Sequence, residues 1–205
     1  MRTLAVACLV LCGAVGCQLP YTGGATPMRP QQLGSGWYHA TATPVVRQRQ
    51  ETDCGLAALA MIAGAWGRTW PVDQLDHQLP PGGNGVKLGA LRDYARANGL
   101  DAYAIKGTPK DLEHELAQGR PVVLGLLLPF DEGHNLKHYE VAIAMRPADG
   151  TVVTIDPASG KWLSRSAKVL DLEWGHAGYA TLVVVGASVL ASRPSWPSPS
   201  STTRP

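Results

Sequence analysis

The chain contains a cysteine, a histidine and an aspartate, Cys54, His138 and Asp156, in contexts that suit nucleophilic catalysis. Cys54 follows "RQRQETD" and precedes "GLAALAMIAGAW", an almost unbroken run of small and apolar residues that predicts a buried helix. The unpaired N–H groups and partial positive charge at a helix N-terminus favour a thiolate over a thiol. Because a space-filling cysteine is expected in mid-helix, this position predicts a nucleophile.

A thiolate that attacks a carbonyl needs a base, and the base needs a group that orients it. His138 begins "HYEVAIAM", which predicts a strand, and Asp156 ends the next predicted strand, "TVVTID". An Asp-Gly turn at residues 149–150 would join the two strands as a hairpin. Antiparallel pairing would then bring His138 and Asp156 side by side, so that the carboxylate holds the imidazole in one tautomer.

The oxyanion formed in acyl transfer also needs hydrogen-bond donors. The backbone N–H of Cys54 at the helix start is one candidate. A glutamine amide can donate without titrating, and Gln48 and Gln50 both lie just upstream, where either could equally be solvated loop polarity. Asp53, directly before the cysteine, is interpreted as polarity at the helix N-terminus and not as a catalytic acid.

The N-terminal sequence "MRTLAVACLVLCGAVGC" has one early charge, Arg2, then an apolar stretch and small residues before Cys17. This pattern predicts a secretory signal that is too short to span a membrane. Its ending "AVGC" resembles a bacterial lipoprotein signal, which implies lipidation of Cys17; a plain signal peptide cut near this point is the alternative. With Cys8 and Cys12 removed and Cys17 lipidated, Cys54 is the only thiol of the folded domain.

The 205 residues divide into a predicted signal peptide at 1–17, a flexible Gly/Pro-rich tether at 18–43, a globular domain at 44–191 and a disordered Pro/Ser-rich tail at 192–205. Within the domain, predicted helices come first and mostly antiparallel strands come later, which indicates an α+β fold. A hydrophobic fraction of 45% is sufficient for one core.

Several other classes of function are not indicated by the sequence. A net charge of +2 without a basic block gives no indication of nucleic-acid binding. His134 and His138 in "HNLKH" could bind zinc from one helix face, but the segment is typical of a loop entering a strand, and further ligands are not evident. The Gly-rich "PPGGNG" lacks the lysine of a phosphate-binding loop. We therefore expect neither a metal nor a cofactor.

The segment "QRQETDCGLAALAMIAGAWG" resembles the active-site segment of the bacterial cysteine peptidases that remove double-glycine leader peptides from bacteriocins. These peptidases have a papain-like fold and are usually the N-terminal domain of an ABC exporter. Their pattern has a glutamine six positions before the cysteine, an acidic residue before it and a glycine after it, as Gln48, Asp53 and Gly55 are here. "HYEVAIAM" and "IDPASG" resemble later strands, with His138 and Asp156 on the catalytic positions. The resemblance covers residues 45–185.

The resemblance implies a thiol peptidase acting on a peptide or protein substrate, with Gln48 as the oxyanion donor. It further implies the processing of leader peptides and an exporter as partner. The signal sequence predicts a position outside the cytoplasm with a lipid anchor in the membrane, and Gln18 after Cys17 favours the outer membrane by resemblance to lipoproteins. Two alternatives stay open: a catalytically silent peptide-binding module of the same fold, and a related papain-like amidase.

Overall fold

The computed structural model describes residues 22–40, 42–131 and 134–186. The predicted signal peptide, Cys17 and the predicted tail lie outside these residues. Within the described ranges, no helix has both the length and the apolar character needed to cross a membrane.

The described part of the chain forms one antiparallel sheet with helices on both faces. The helices are α1 (Cys54–Ala65), α2 (Val72–Gln78), α3 (Leu88–Ala97), α4 (Pro109–Ala117) and α5 (Ala167–His176). The strands are β1 (Thr26–Met28), β2 (Tyr38–His39), β3 (Asp101–Lys106), β4 (Val122–Asp131), β5 (His134–Arg146), β6 (Thr151–Asp156), β7 (Lys161–Arg165) and β8 (Ala180–Val185). Their order is β1-β7-β6-β5-β4-β8-β3, with β2 also paired to β5. This architecture confirms the predicted α+β class.

The central strands supply two separate cores, because successive side chains of a strand point to opposite faces of the sheet. Val123 and Val141 pack with residues of α1, α2 and α3 in one core. Val122, Leu124 and Ala142 pack with residues of α4 and α5 in the other. The sheet is therefore held between two layers of helices, and α1 belongs to the first.

Helix α1 is buried from Cys54 to Ala63. Its small residues allow close packing on β5: a Cβ added at Gly55 would meet the Tyr139 ring at 3.2 Å. Because this helix has no polar face to turn toward solvent, its position is set by packing contacts along its length. Cys54, its first residue, is therefore held on a rigid support.

The hairpin predicted from the Asp-Gly turn is formed by β5 and β6. Val141 lies opposite Ile155, and Arg146 lies opposite Thr151. Gly150 has a φ of 67° in the connecting turn, a left-handed conformation that glycine adopts without steric cost. The hairpin carries His138 near the start of one strand and Asp156 at the end of the other.

The segment from residues 22 to 40 corrects the prediction of a flexible tether at 18–43. Residues 22–28, called the N-terminal strap below, contain β1, which pairs with β7 and places Met28 opposite Trp162. Further along, β2 pairs with β5 and places Tyr38 opposite Met145. The folded domain thus extends upstream of the predicted boundary at Pro44.

The composition of this segment concealed its structure for two physical reasons. A short strand at the edge of a sheet tolerates a proline, and Pro27 lies in β1. The apolar side chains are too widely spaced to show a period, yet Met28, Leu33 and Trp37 all pack against the core that contains α1. Tertiary burial therefore orders a stretch whose local pattern indicates a linker.

Candidate active site

Cys54 lies at the N-terminus of α1 as a free, buried thiol. Asp53 precedes it as the N-cap residue, but the Asp53 side chain makes no capping hydrogen bond. Instead, this fully buried carboxylate lies 3.6 Å from the guanidinium of Arg49. The first N–H groups of a helix have no partner within the helix. Because Asp53 does not cap them with its side chain, they remain the natural site for a developing negative charge next to the thiol.

His138 and Asp156 form a buried pair at one end of the β5–β6 hairpin. The Nε2 of His138 lies 2.7 Å from Oδ1 of Asp156, and the two side chains are 6% and 2% exposed. Asp156 is itself fixed by the N–H groups of Ala158 and Ser159, at 2.9 and 3.0 Å, and by the Ser159 hydroxyl at 2.5 Å. The orientation of the carboxylate is therefore fixed by its own loop, independently of the imidazole that it orients.

The second neighbour of His138 is Cys54, which lines the same cleft and acts on the imidazole to raise its pKa. Since Nε2 is bound to Asp156, Nδ1 is the ring nitrogen left for the thiol. The structure thus brings together the three side chains that the sequence predicted as nucleophile, base and orienting group. It does so from two elements, the N-terminus of α1 and the β5–β6 hairpin.

Electrostatics at the pair favour its charged forms. Burial lowers the pKa of His138, but hydrogen bonds to Asp156 and Cys54 and the charge of Glu140 outweigh it and raise the pKa to about 10. Burial raises the pKa of Asp156, whereas the hydrogen bond and charge of His138, together with Ser159 and Ala158, lower it to about 2. At neutral pH the arrangement therefore holds an imidazolium between a carboxylate and the thiol of Cys54.

A cleft of about 290 Å³ opens at Cys54 and His138. Gly125 in its lining packs closely on two other lining residues: a Cβ added there would meet the Ala180 Cβ at 2.9 Å and the Tyr139 ring at 3.2 Å. Most of the remaining lining is apolar, with polar groups from Asn84, Lys137 and His176 at the rim. A larger, open depression of about 630 Å³ beside Arg29, Gln31 and Gln32 offers no nucleophile in its lining. Of these two depressions, the cleft at Cys54 is the one that contains a nucleophile.

A model of the "Peptidase C39 family" matches residues 42–183. The chain belongs to the peptidase C39 family. The protein is thus a cysteine-type peptidase by family, and the resemblance found in its sequence is confirmed. No curated protein matches the chain.

Solved structures agree with this assignment at the level of fold. A double glycine motif protease from an AMS/PCAT transporter, in complex with the leader peptide, is 20% identical over 73% of this chain and 94% of that chain, with a TM-score of 0.57. The peptidase domain of Streptococcus ComA, a bi-functional ABC transporter involved in a quorum sensing pathway, is 21% identical over 71% and 100%, with a TM-score of 0.58. A C39-like peptidase from Bacillus anthracis is 19% identical over 74% and 98%, with a TM-score of 0.61. The predicted papain-like peptidase fold is thereby confirmed.

Gln48, the predicted oxyanion donor of this C39 domain, is placed beside the site by its backbone. Its N–H donates to the Pro157 carbonyl at 3.0 Å, which ties it to the loop that follows Asp156. Its side-chain Nε2 donates to the Gln50 carbonyl at 3.0 Å, and its Oε1 is buried without a hydrogen-bond partner. Gln48 is not among the residues that line the cleft. One N–H of the amide is therefore engaged, and a second remains for another acceptor.

His138, Glu140 and Asp156 form the only group of three potential metal ligands found among the described residues, with ligand atoms within 4.8 Å of one another. Both carboxylate oxygens of Glu140 accept hydrogen bonds from Arg165, at 2.6 and 2.8 Å. Asp156 is occupied by His138 and by the Ser159 loop. The carboxylate oxygens of Glu140 and Asp156 therefore already accept hydrogen bonds from protein groups, and these three residues are not arranged to bind a cation.

Two contributors to the site were missed from the sequence. Ser159 orients Asp156, and its signal was present, because a serine three residues after an aspartate is typical of a turn closed by side-chain hydrogen bonds. Glu140 is a charged residue inside the apolar strand "HYEVAIAM", which could have indicated a buried ion pair. Its partner Arg165 lies two strands away and could not be identified from local pattern.

Proposed function

We propose that this C39 peptidase hydrolyses peptide bonds with Cys54 as nucleophile, His138 as acid and base, and Asp156 as the group that orients His138. The observation that supports it most is the buried hydrogen bond between Asp156 and His138, together with the position of His138 and Cys54 in the lining of one cleft. A thiol, an imidazole and a carboxylate in this order supply the groups that acyl transfer requires.

In the proposed reaction the Cys54 thiolate attacks the peptide carbonyl carbon. The resulting oxyanion is stabilised by the Cys54 N–H at the start of α1 and by the amide of Gln48. His138, protonated at Nδ1, gives its proton to the leaving amine, and the peptide bond breaks to leave a thioester on Cys54. His138 then accepts a proton from water, which attacks the thioester carbonyl. The C–S bond breaks, so that the carboxylic acid is released and the Cys54 thiolate is restored. Asp156 stays ionised throughout and holds Nε2–H.

The substrates we propose are leader peptides of secreted peptides, cut after small residues. The similarity to solved peptidase domains supports this. The solved double glycine motif protease is bound to a leader peptide, and the ComA peptidase domain is part of an ABC transporter. We propose an exporter of the same kind as a partner.

We further propose that the domain is anchored by lipid on Cys17 and works in the cell envelope outside the cytoplasm, at the outer membrane. The signal-like sequence at 1–17 supports this part of the proposal. Mass spectrometry of the mature protein would test it, with a diacylglyceryl mass on Cys17 as the expected result and an unmodified N-terminus as the contradicting one.

The cleavage proposal is tested with synthetic leader peptides that end in a double glycine followed by a short cargo. We expect cleavage after the second glycine, and complete loss of cleavage for Cys54→Ala and His138→Ala. Gln50→Ala, which removes the glutamine not assigned a role, is the matched control and should retain activity. Residual turnover by Cys54→Ala would contradict the catalytic part of the proposal. Equal cleavage of peptides with and without the two glycines would contradict the part that names the substrate.

A further inference from the structure

The side chain of Arg165 is entirely buried between β5 and α5. Its Nε donates to Glu173 at 2.6 Å, Nη1 donates to Glu140 at 2.6 Å and to Thr154 at 2.9 Å, and Nη2 donates to Glu140 at 2.8 Å. A guanidinium has five N–H groups, and these four contacts leave one. Glu140, Thr154, Arg165 and Glu173 are called the ionic network below.

The fifth N–H of Arg165 and a free oxygen of Glu173 are both satisfied by the N-terminal strap. Nη2 of Arg165 donates to the carbonyl of Thr22 at 3.3 Å, and the N–H of Gly24 donates to Oε1 of Glu173 at 2.6 Å. Gly23 has a φ of 62°, and a Cβ there would collide with Glu173. The strap is thus fitted closely onto the ionic network. It also lies upstream of residues 42–183, the part matched by the family model.

The ionic network reaches the proposed catalytic histidine through Glu140. Glu140 is two residues from His138 on β5, and the potential ligand atoms of His138, Glu140 and Asp156 lie within 4.8 Å of one another. The charge of Glu140 acts on His138 and favours its protonated form. With one cation and two anions, the network is a fixed negative charge in a medium where charges interact strongly.

We infer that Glu140 is a positioning residue that stabilises the imidazolium of His138, and that the N-terminal strap holds Glu140 in place through Glu173 and Arg165. The strap is in this sense a part of the active site. This inference rests on the proposed function for its consequence in catalysis, while its electrostatic part concerns His138 alone.

The titratable groups that act on His138 come from several elements. They are Cys54 on α1, Asp156 on β6 and Glu140 on β5. Lys137 and Tyr139 on β5 and His176 on α5 are further titratable groups that line the cleft. Asp156 is hydrogen-bonded to the imidazole, and both Asp156 and Cys54 remain in a Glu140 variant. The effect of Glu140 can therefore be measured as a change on top of a constant set of neighbours.

Glu140→Gln removes the charge and keeps the shape of the side chain. Because the carboxylate favours the imidazolium, its loss lowers the pKa of His138, and we expect a downward shift of about one pH unit. An NMR titration of the His138 ring measures this shift without any substrate. In cleavage assays the alkaline limb of the kcat/KM profile should move down by the same amount. Glu115→Gln, which alters the bidentate pair between Glu115 on α4 and Arg120 in the loop that follows, is the matched control.

The strap is tested with a pair of substitutions at Gly24. Alanine and proline both add a Cβ, which would meet Val169 at 2.8 Å, but only proline removes the N–H that binds Glu173. We expect Gly24→Pro to lower the pKa of His138 and to reduce kcat with KM unchanged, and Gly24→Ala to stay closer to the wild type. This pair also decides the matter if Glu140→Gln fails to fold.

An unchanged His138 titration in Glu140→Gln would overturn the inference, as would identical titrations for the two Gly24 variants. Failure of the proposed function is a different result: the wild-type protein would not cleave peptides, while the His138 titration would still respond to Glu140. The two failures are therefore distinguishable.

Discussion

The ionic network and the pair of His138 and Asp156 are both buried, and their members on β5, Glu140 and His138, are two residues apart. The two clusters differ in how completely their hydrogen-bonding groups are occupied. In the ionic network, every N–H of Arg165 and both oxygens of Glu140 and Glu173 are bound within the protein. In the pair of His138 and Asp156, one ring nitrogen remains for a thiol at the bottom of an open cleft. A closed cluster fixes charge, and an open one can move a proton. Both clusters are buried and charged, so the feature that distinguishes the candidate active site is a ring nitrogen that no group of the network or of Asp156 occupies.

The largest expected effect on activity comes from substitution of Asp156. Asp156→Ala leaves His138 without an orienting group, and we expect kcat to fall on the order of 100-fold or more. Asp156→Asn keeps an acceptor for Nε2–H and should lie between this variant and the wild type. Asp149→Ala removes an exposed carboxylate in the turn of the same hairpin and is the control. Equal activity of Asp156→Ala and Asp149→Ala would refute the role given to the pair.

The ionic network should respond in stability where the pair responds in activity. Arg165→Met leaves two buried carboxylates without their cation, and we expect the free energy of unfolding to fall by about 3–5 kcal/mol. Arg120→Met breaks a partly exposed pair with Glu115 and should cost about 1 kcal/mol or less. Urea denaturation followed by tryptophan fluorescence measures both. A loss at Arg165 no larger than that at Arg120 would mean that the network is not closed.

The smallest effect is expected at Ser159, which lies at the edge of the open cluster. Ser159→Ala removes the hydroxyl that donates to Asp156 but keeps the two backbone N–H donors. The pKa of Asp156 should rise slightly, because one hydrogen bond to its ionised form is lost. We expect about a threefold loss of kcat, corresponding to less than the usual worth of one hydrogen bond. A loss as large as that of Asp156→Ala would make Ser159 a principal member of the site.

The parts of the molecule that could be predicted from sequence are those fixed by local chemistry. The small and apolar run after Cys54 predicted a buried helix beginning there, as α1 does. The Asp-Gly turn predicted the hairpin that brings His138 and Asp156 together. In each case the signal and the structure it determines lie within a few residues of each other.

The parts that could not be predicted depend on contacts between distant segments. Arg165 meets Glu140 and Thr22 across 25 and 143 positions of sequence, and neither distance leaves a periodic trace. The composition of the strap is that of a linker, and its order comes from contacts with the edge strand β7 and with the ionic network, which local sequence does not show. Gln48 shows the same limit on a smaller scale, since its spacing indicated a donor but the contacts of its amide depend on the fold of the loop.

If Cys17 carries the proposed lipid, the strap also limits how far the folded domain can lie from the membrane. Only four residues separate Cys17 from Thr22, where the strap begins, and the five Cα–Cα steps between them span about 17 Å when extended. A free tether from Cys17 to Pro44 would have spanned about 90 Å. If Cys17 carries lipid, the β1 edge of the sheet is confined to a thin layer above the bilayer. Substrates would then be met as they emerge at the membrane surface, in a search over two dimensions instead of three.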